Sequence, residues 1–361
     1  MTSASEELWT PFPARQTGDM HVLLIGTGKF FHVGAFFRRS FAELGHDCIF
    51  VDEQNYFRLN SFKEKVLYRL LGKRSANYNR FNRAVLSACA SKPEIILIIK
   101  GAWLSPKTIQ KIRAAYTPTL INYATDDPFN LRVSTTNIIQ SIPLYDFYLT
   151  TKQRTIPDII RAGGKNVSFV PFGYEPSLHF PETPSTADEV SRFSCEVSFI
   201  GAADPDRVSL FSKMLSGSQA KLFLYGGYWE RYPNFRREYK GVALGRDYRL
   251  ATSAAKISLG LVRHTNRDGH SMRTFEIPAC GGFLLAERTD EHLAFFKEDK
   301  EAVFFSSDEE LFDKIKFYTT NDRSRERVRQ AGLERVQTSA ATYTDRLREI
   351  LNLAKTNTPY R

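Results

Sequence analysis

Along the chain, short apolar runs ending in glycine or in charged pairs alternate with stretches whose apolar residues recur every three or four positions. The first run, His21–Gly26 (HVLLIG), has the pattern of a strand buried on both faces. A glycine-bearing turn, Gly26-Thr27-Gly28-Lys29, leads into a helical pattern through Phe36, Phe37, Phe41 and Leu44 that stops at Gly45. A second strand, Cys48–Val51, ends in Asp52-Glu53, completing the β–loop–α–β unit that opens a doubly wound sheet. Strands follow at Ile95–Ile99, Thr119–Tyr123, Phe147–Leu149 and Val167–Val170, with helices at Pro106–Tyr116 and Ile156–Ala162. Glu175–Val190 holds Pro176, Pro181 and Pro184 without periodicity and reads as a linker. The alternation then restarts with strands at Cys195–Ile200, Ala220–Tyr225, Ile257–Val262 and Phe283–Ala286. Helices are expected at Arg207–Leu215, Leu250–Ala255 and Met272–Ala279, and in the tail at Asp308–Tyr318, Asp322–Ala331 and Tyr343–Ala354.

The pattern predicts an α/β protein of two Rossmann-like, doubly wound domains. Residues 1–180 form the first domain and residues 190–340 the second. Residues 341–361 form a C-terminal helix that packs back on the first. No internal sequence repeat links the halves. Ligands of open α/β sheets sit outside the carboxyl ends of the strands. Those ends carry Gly26-Thr27-Gly28, Asp126-Asp127, Gly201 and Arg263-His264, which two domains facing a central cleft would bring together.

Composition narrows the class. The chain has 361 residues, 42% hydrophobic and 25% charged, as in soluble globular proteins. Its 28 Phe and 16 Tyr exclude a solvated, disordered chain. The four cysteines are scattered, with no CxxC pair, which argues against a zinc site or disulfide framework and for a cytoplasmic setting. The N-terminus carries acids before its first base and lacks an apolar core, unlike a signal peptide. No window approaches ~18 consecutive apolar residues. The net charge of +10 is compatible with nucleic acid, an anionic membrane or a phosphate-bearing small molecule. It is local: Arg58–Arg83 holds eight Lys or Arg against Glu64, and Glu230–Arg249 holds six against three acids. In Arg58–Arg83 the residues Phe62, Val66 and Leu70 share a helical face. That segment is either a helix packed on the sheet with a solvated basic face, or a peripheral contact with an anionic inner-membrane surface or a lipid diphosphate acceptor. No basic-aromatic nucleic-acid motif is present, so nucleic acid is not expected as a partner.

The richest stretch is Arg263 to Ala286, RHTNRDGHSMRTFEIPACGGFLLA. A strand ends at Val262, a polar loop follows, and a helix opens near Ser271 with Arg273 in its first turn. Glu276 lies three residues on, on the same face. Backbone N–H groups at a helix start and an arginine fork bind phosphates, and a carboxylate can accept two ribose hydroxyls. The set suits a nucleotide diphosphate; the alternative is a solvated loop with an Arg273–Glu276 helix salt bridge.

Glu276-Ile277-Pro278-Ala279-Cys280-Gly281-Gly282-Phe283-Leu284 resembles the second half of the E-x7-E motif of GT-B glycosyltransferases of the family 4-like group, and in particular the spore maturation protein CgeB family. Here the first acid, eight residues before Glu276, is Asp268. The resemblance extends more weakly to Asp126-Asp127-Pro128 and to Phe169–Pro181. It implies a GT-B fold, with residues 1–180 as the acceptor-side domain and residues 190–340 as the nucleotide-sugar-binding domain, and transfer of a sugar from a nucleotide-sugar donor to a glycan, lipid-linked or polymer acceptor. Retention at the anomeric carbon and no cofactor or metal ion are also implied. Glu276 would bind the ribose, and Arg273 and Arg263 the diphosphate. His264 and Ser271 would flank the donor, Asp268 would meet its sugar, and Tyr225-Gly226 would approach the base. Asp126 or Asp127 would orient the acceptor hydroxyl or act as a base, unless Asp-Asp-Pro is only a turn.

The loop Gly26, Gly28, Lys29 is read as part of the cleft floor. GTGKFFHVG is not G-x-G-x-x-G, although Asp52 imitates the ribose-binding acid of a nicotinamide-dinucleotide fold. Two rivals therefore stand beside the transferase: an NAD-dependent oxidoreductase, and a non-catalytic glycosyltransferase-like binding protein.

Overall fold

The computed structural model describes residues 20–57, 77–217 and 220–356. The N-terminal segment, and the Phe62–Val66–Leu70 face of the basic stretch, lie outside the described residues. In chain order the strands are β1 (His21–Gly26), β2 (Asp47–Asp52), β3 (Ile95–Ile99), β4 (Thr119–Ala124), β5 (Phe147–Thr150), β6 (Val167–Phe169), β7 (Cys195–Ile200), β8 (Leu222–Tyr225), β9 (Ala255–Gly260), β10 (Leu284–Glu287) and β11 (Val303–Phe305). The helices are α1 (Val33–Glu43), α2 (Tyr78–Ala88), α3 (Pro106–Ala115), α4 (Thr136–Ser141), α5 (Ile156–Arg161), α6 (Ala187–Phe193), α7 (Pro205–Gly217), α8 (Arg246–Ser253), α9 (Arg273–Ala279), α10 (Asp290–Phe295), α11 (Asp308–Thr320), α12 (Asp322–Thr338) and α13 (Tyr343–Thr356).

The described residues within Phe12–Pro171, Arg263–Asp268 and Tyr343–Arg361 form one compact unit; those within Phe172–Val262 and Gly269–Thr342 form another. The first holds a six-stranded parallel sheet, ordered β2-β1-β3-β4-β5-β6. Helices on both faces of such a sheet leave its strands wholly apolar, hence the unbroken runs Val22–Ile25 and Ile95–Ile99. The second unit holds a five-stranded parallel sheet, ordered β11-β10-β9-β7-β8. Counted from its own first strand, it has the order 2-1-3-4-5, as the first unit does for its first five strands. The topology therefore repeats where the sequence does not.

Several elements differ from the sequence pattern. Glu175–Val190 is not a free linker. Glu175 and His179 are buried in the second unit, Glu182 pairs with Arg246 and Arg249, and α6 begins at Ala187 under a Thr186 cap. Three prolines break periodicity, but side-chain bonds hold the segment. Strand β11 and helix α10 are too short for a period to show. The segment 263–268 leaves the second sheet and packs within the first unit. Helix α13 also belongs there, lying on α1. The Tyr343 ring is 4.7 Å from Phe36 and 5.7 Å from Phe37, and Tyr343, Leu347, Ile350 and Leu351 are buried. Each such side chain contributes about 1.5–3 kcal/mol of burial. All four cysteines are free thiols. No described helix is long and apolar enough to cross a membrane.

Candidate functional site

In the first unit the strand order reverses between β1 and β3, and the residues following those strands meet at the carboxyl edge of the sheet. The turn after β1 is held by Asp52, whose Oδ1 accepts from the backbone N–H of Gly28 (3.0 Å) and of Gln54 (2.9 Å). A Cβ at position 28 would stand 2.4 Å from Asp52 Oδ2, so any larger residue would have to displace the carboxylate that holds the turn. Asp52 is thereby committed to the turn, while Lys29 is exposed beside Phe31.

Next to this turn, one carboxylate oxygen of Glu53 is fully buried without a hydrogen-bond partner. Burial pushes the Glu53 carboxyl up to about 7, although Lys100 and the Thr27 hydroxyl pull against it. A raised acid favours the protonated native state. Its contribution to stability is complete below the ordinary value near 4.5 and is lost as pH rises toward 7. Glu53→Gln is expected to gain stability over the wild type as pH rises from 5 to 8, by roughly 3 kcal/mol at most. Urea unfolding at the two pH values measures this; a pH-independent difference would contradict it.

The segment 263–268 closes a polar network with the ends of β3, β4 and β5. Asp126 pairs with Lys100 at 2.7 Å. Asn266 donates from Nδ2 to Asp126 (3.2 Å) and Asp268 (2.9 Å), and its Oδ1 accepts the Asp127 N–H (2.9 Å). Arg267 grips both oxygens of the buried Asp127 at 2.7 Å each and also bonds Asp158. Asp268 pairs with the buried Lys152 at 2.6 Å and accepts the Arg263 N–H at 3.2 Å. Burial alone would raise Asp126, but Lys100, Lys152 and Arg263 together hold its carboxyl below the ordinary range. At neutral pH it is therefore an ionised hydrogen-bond acceptor and a weak base. Asp127 is occupied by Arg267. Arg263 and His264 stand in this first unit, as does Asp268.

In the second unit the strand order reverses between β7 and β9. Beyond β9, helix α9 carries Glu276, which is 6% exposed. The Tyr248 hydroxyl donates to Glu276 Oε2 at 2.9 Å. His179 Nδ1 accepts the Glu175 N–H at 3.0 Å, so in the neutral ring Nε2 carries the hydrogen, and it faces Glu276 Oε1 at 3.6 Å. Each carboxylate oxygen can accept two bonds, so capacity for two ligand hydroxyls remains. Burial and the Glu276 charge hold the Tyr248 phenol well above its ordinary range, keeping it a donor. No Arg273–Glu276 salt bridge occurs among the described ion pairs. Instead Arg273 donates to the Leu261 carbonyl at 3.0 Å and lies over the Phe199 ring at 5.6 Å. Ser271 bonds through its N–H to Thr274 Oγ1, while its own Oγ is buried without a hydrogen-bond partner. Gly226, at φ +122°, presses on Gly201: a Cβ there would stand 2.5 Å from the Gly201 carbonyl oxygen. The buried Tyr225 ring instead lines a cavity of about 300 Å³ with Arg192, Phe223 and Lys240, and its hydroxyl reaches the Arg192 carbonyl at 3.4 Å.

His270 is a core residue. Its Nε2 accepts the Phe172 N–H at 3.0 Å and its other nitrogen bonds the buried Glu291. The partners that sequence reasoning missed are His179, Tyr248, Lys100, Lys152, Arg267 and Glu53. Only Lys100 and Glu53 carried a signal, each standing at the end of an apolar run.

Residues 207–352 match the family described as "Glycosyl transferase-like". No curated protein matches the chain. Among solved structures, sucrose-phosphate synthase from Thermosynechococcus elongatus superposes with a TM-score of 0.66 at 12% identity, covering 93% of this chain and 99% of that one. Anabaena HepE in complex with UDP-glucose gives 0.62 at 11% identity, over 93% and 100%. The α,α-trehalose 6-phosphate synthase of Burkholderia multivorans gives 0.61 at 11% identity, over 93% and 98%. The chain thus has the GT-B fold of two parallel-sheet α/β domains, with a glycosyltransferase-like region over residues 207–352.

Proposed function

We propose that this protein is a glycosyltransferase of CgeB type. It moves a hexose-type residue from a nucleotide-diphosphate sugar to a glycan, lipid-linked or polymer acceptor, with retention and without a metal. One observation carries the reading: Glu276 is a buried carboxylate aimed by Tyr248 and His179, with bonding capacity left for two hydroxyls of a ribose. The buried Ser271 hydroxyl and the Arg273 guanidinium stand on the same segment and serve the diphosphate, where a charge already in place lowers the barrier to its departure. The likeness to a UDP-glucose complex supports a nucleotide-sugar donor. In the first unit, Asp126 suits orientation of an acceptor hydroxyl better than proton abstraction. We place the protein in the cytoplasm.

The oxidoreductase reading loses its best feature, because Asp52 is occupied by Gly28 and Gln54. Thermal denaturation with a panel of nucleotides separates the readings. A nucleoside diphosphate at one hundred times its Kd should stabilise the protein by about 2.7 kcal/mol. A shift with NAD and none with UDP or GDP would overturn the transferase.

A further inference from the structure

The first unit contains a recess whose lining shares no residue with the Gly28 turn. It is a cavity of about 700 Å³ at the carboxyl edge of the sheet, between the first turns of α2, α3 and α4. That volume lies within the range of small-molecule sites. Its chemistry is one-sided. Arg83, Lys107 and Lys111 line it, and its described lining contains no Asp or Glu. These three cations are exposed, and none has an ion pair among the described residues. Between them stand the amides of Asn79 and Gln140, both exposed, and an Asn137 amide that donates to the Tyr78 hydroxyl at 2.8 Å. The helix start of α3 plays no part, because Ser105 already caps its Thr108 N–H at 2.9 Å.

Three uncompensated cations select an anion, and amides with no intramolecular task select hydroxyls. A simple inorganic anion would need neither the amides nor this volume. We infer that this cavity binds an acidic glycan, a chain of sugars bearing carboxylate groups, as part of the acceptor. The inference rests on the transferase reading for the word acceptor, but the binding site itself does not.

The test is calorimetric titration of the full chain with tetragalacturonate and with maltotetraose, a neutral glycan of equal length. Tetragalacturonate is expected to bind, maltotetraose to bind at least tenfold more weakly, and the acidic ligand to lose affinity as salt rises. The double variant Arg83→Glu, Lys111→Glu should lose at least tenfold in tetragalacturonate affinity. Both side chains are exposed, so its melting temperature should match the wild type. Three results would each overturn the inference: equal binding of the two glycans, equal binding to wild type and variant, or inorganic phosphate competing as strongly as the glycan. Binding to phosphatidylglycerol vesicles that depends on these residues, with no glycan binding, would overturn it in favour of a lipid surface. UDP and GDP titrated into the same two proteins keep the readings apart. Binding of either nucleotide without tetragalacturonate binding removes only the cavity, and tetragalacturonate binding with neither nucleotide removes only the transferase.

Discussion

Glu276→Gln is expected to weaken nucleotide binding by one to two orders of magnitude and to reduce transfer at least as much. A hydrogen bond to a charged acceptor contributes about 1.5–3 kcal/mol, and the neutral amide gives up that part for each ribose hydroxyl it meets. The substitution is chosen over alanine for a reason visible in the core. Alanine would leave the buried Tyr248 hydroxyl without its acceptor at 2.9 Å, at a cost of about 1–3 kcal/mol that would confuse binding with stability. Glutamine keeps an oxygen in that place. The unliganded melting temperature should therefore stay near the wild type's, while the stabilisation by added nucleotide largely disappears. Nucleotide affinity at the wild-type level would remove Glu276 from the donor site and the proposed function with it.

The second large effect is on folding. Arg267→Ala removes both guanidinium bonds from the carboxylate of Asp127, whose side chain is 5% exposed, and leaves it only the Phe129 N–H at 2.9 Å. Removing one member of a fully buried pair costs about 3–5 kcal/mol; the Arg267 side chain is 32% exposed, so the loss here is expected at or below the lower end of that range. Arg267 also sits at φ +51°, where a side chain is mildly strained and glycine is not. Arg267→Gly separates the two contributions: the backbone is relieved while the pair is lost. Both variants should unfold at markedly lower urea concentration, and Asp127→Asn in the alanine background should recover part of the loss. A glycine variant as stable as the wild type would show that backbone strain, not the ion pair, sets the effect.

Much of the fold could be read from one-dimensional pattern, because parallel strands buried on both faces are apolar without interruption and end abruptly in turn residues. The run IILII and the stop at Cys280-Gly281-Gly282 are of this kind, as is the glycosyltransferase-like stretch around Glu276. What escaped was set by distance along the chain. Nothing local in RHTNRD says that Asn266 and Arg267 will meet Asp126 and Asp127, 140 residues away, in the first unit. The carboxylates of that unit looked chemically free in sequence, and their occupation became visible only with their partners in place. Tyr248 and His179 escaped for the same reason: each lies well upstream of Glu276, Tyr248 on α8 and His179 in the irregular segment before α6. Glu53 was overlooked beside Asp52 because sequence does not tell which of two adjacent acids is solvated.

The position of α13 bears on how the protein is made. The first sheet is complete in sequence by Phe169, yet the face of α1 carrying Phe36 and Phe37 is covered by a helix that begins at Tyr343. During synthesis at about 5–20 residues per second, that aromatic face waits roughly ten to thirty-five seconds for its cover, while the whole second unit emerges. Local order in the N-terminal half can form early, but its closure depends on a contact more than three hundred residues long, the kind that folds slowly and leaves apolar surface exposed meanwhile. A ribosome-bound chain that has not yet released α13 is therefore a natural client for chaperones, and the Phe36–Phe37 face is closed only when that helix docks on α1.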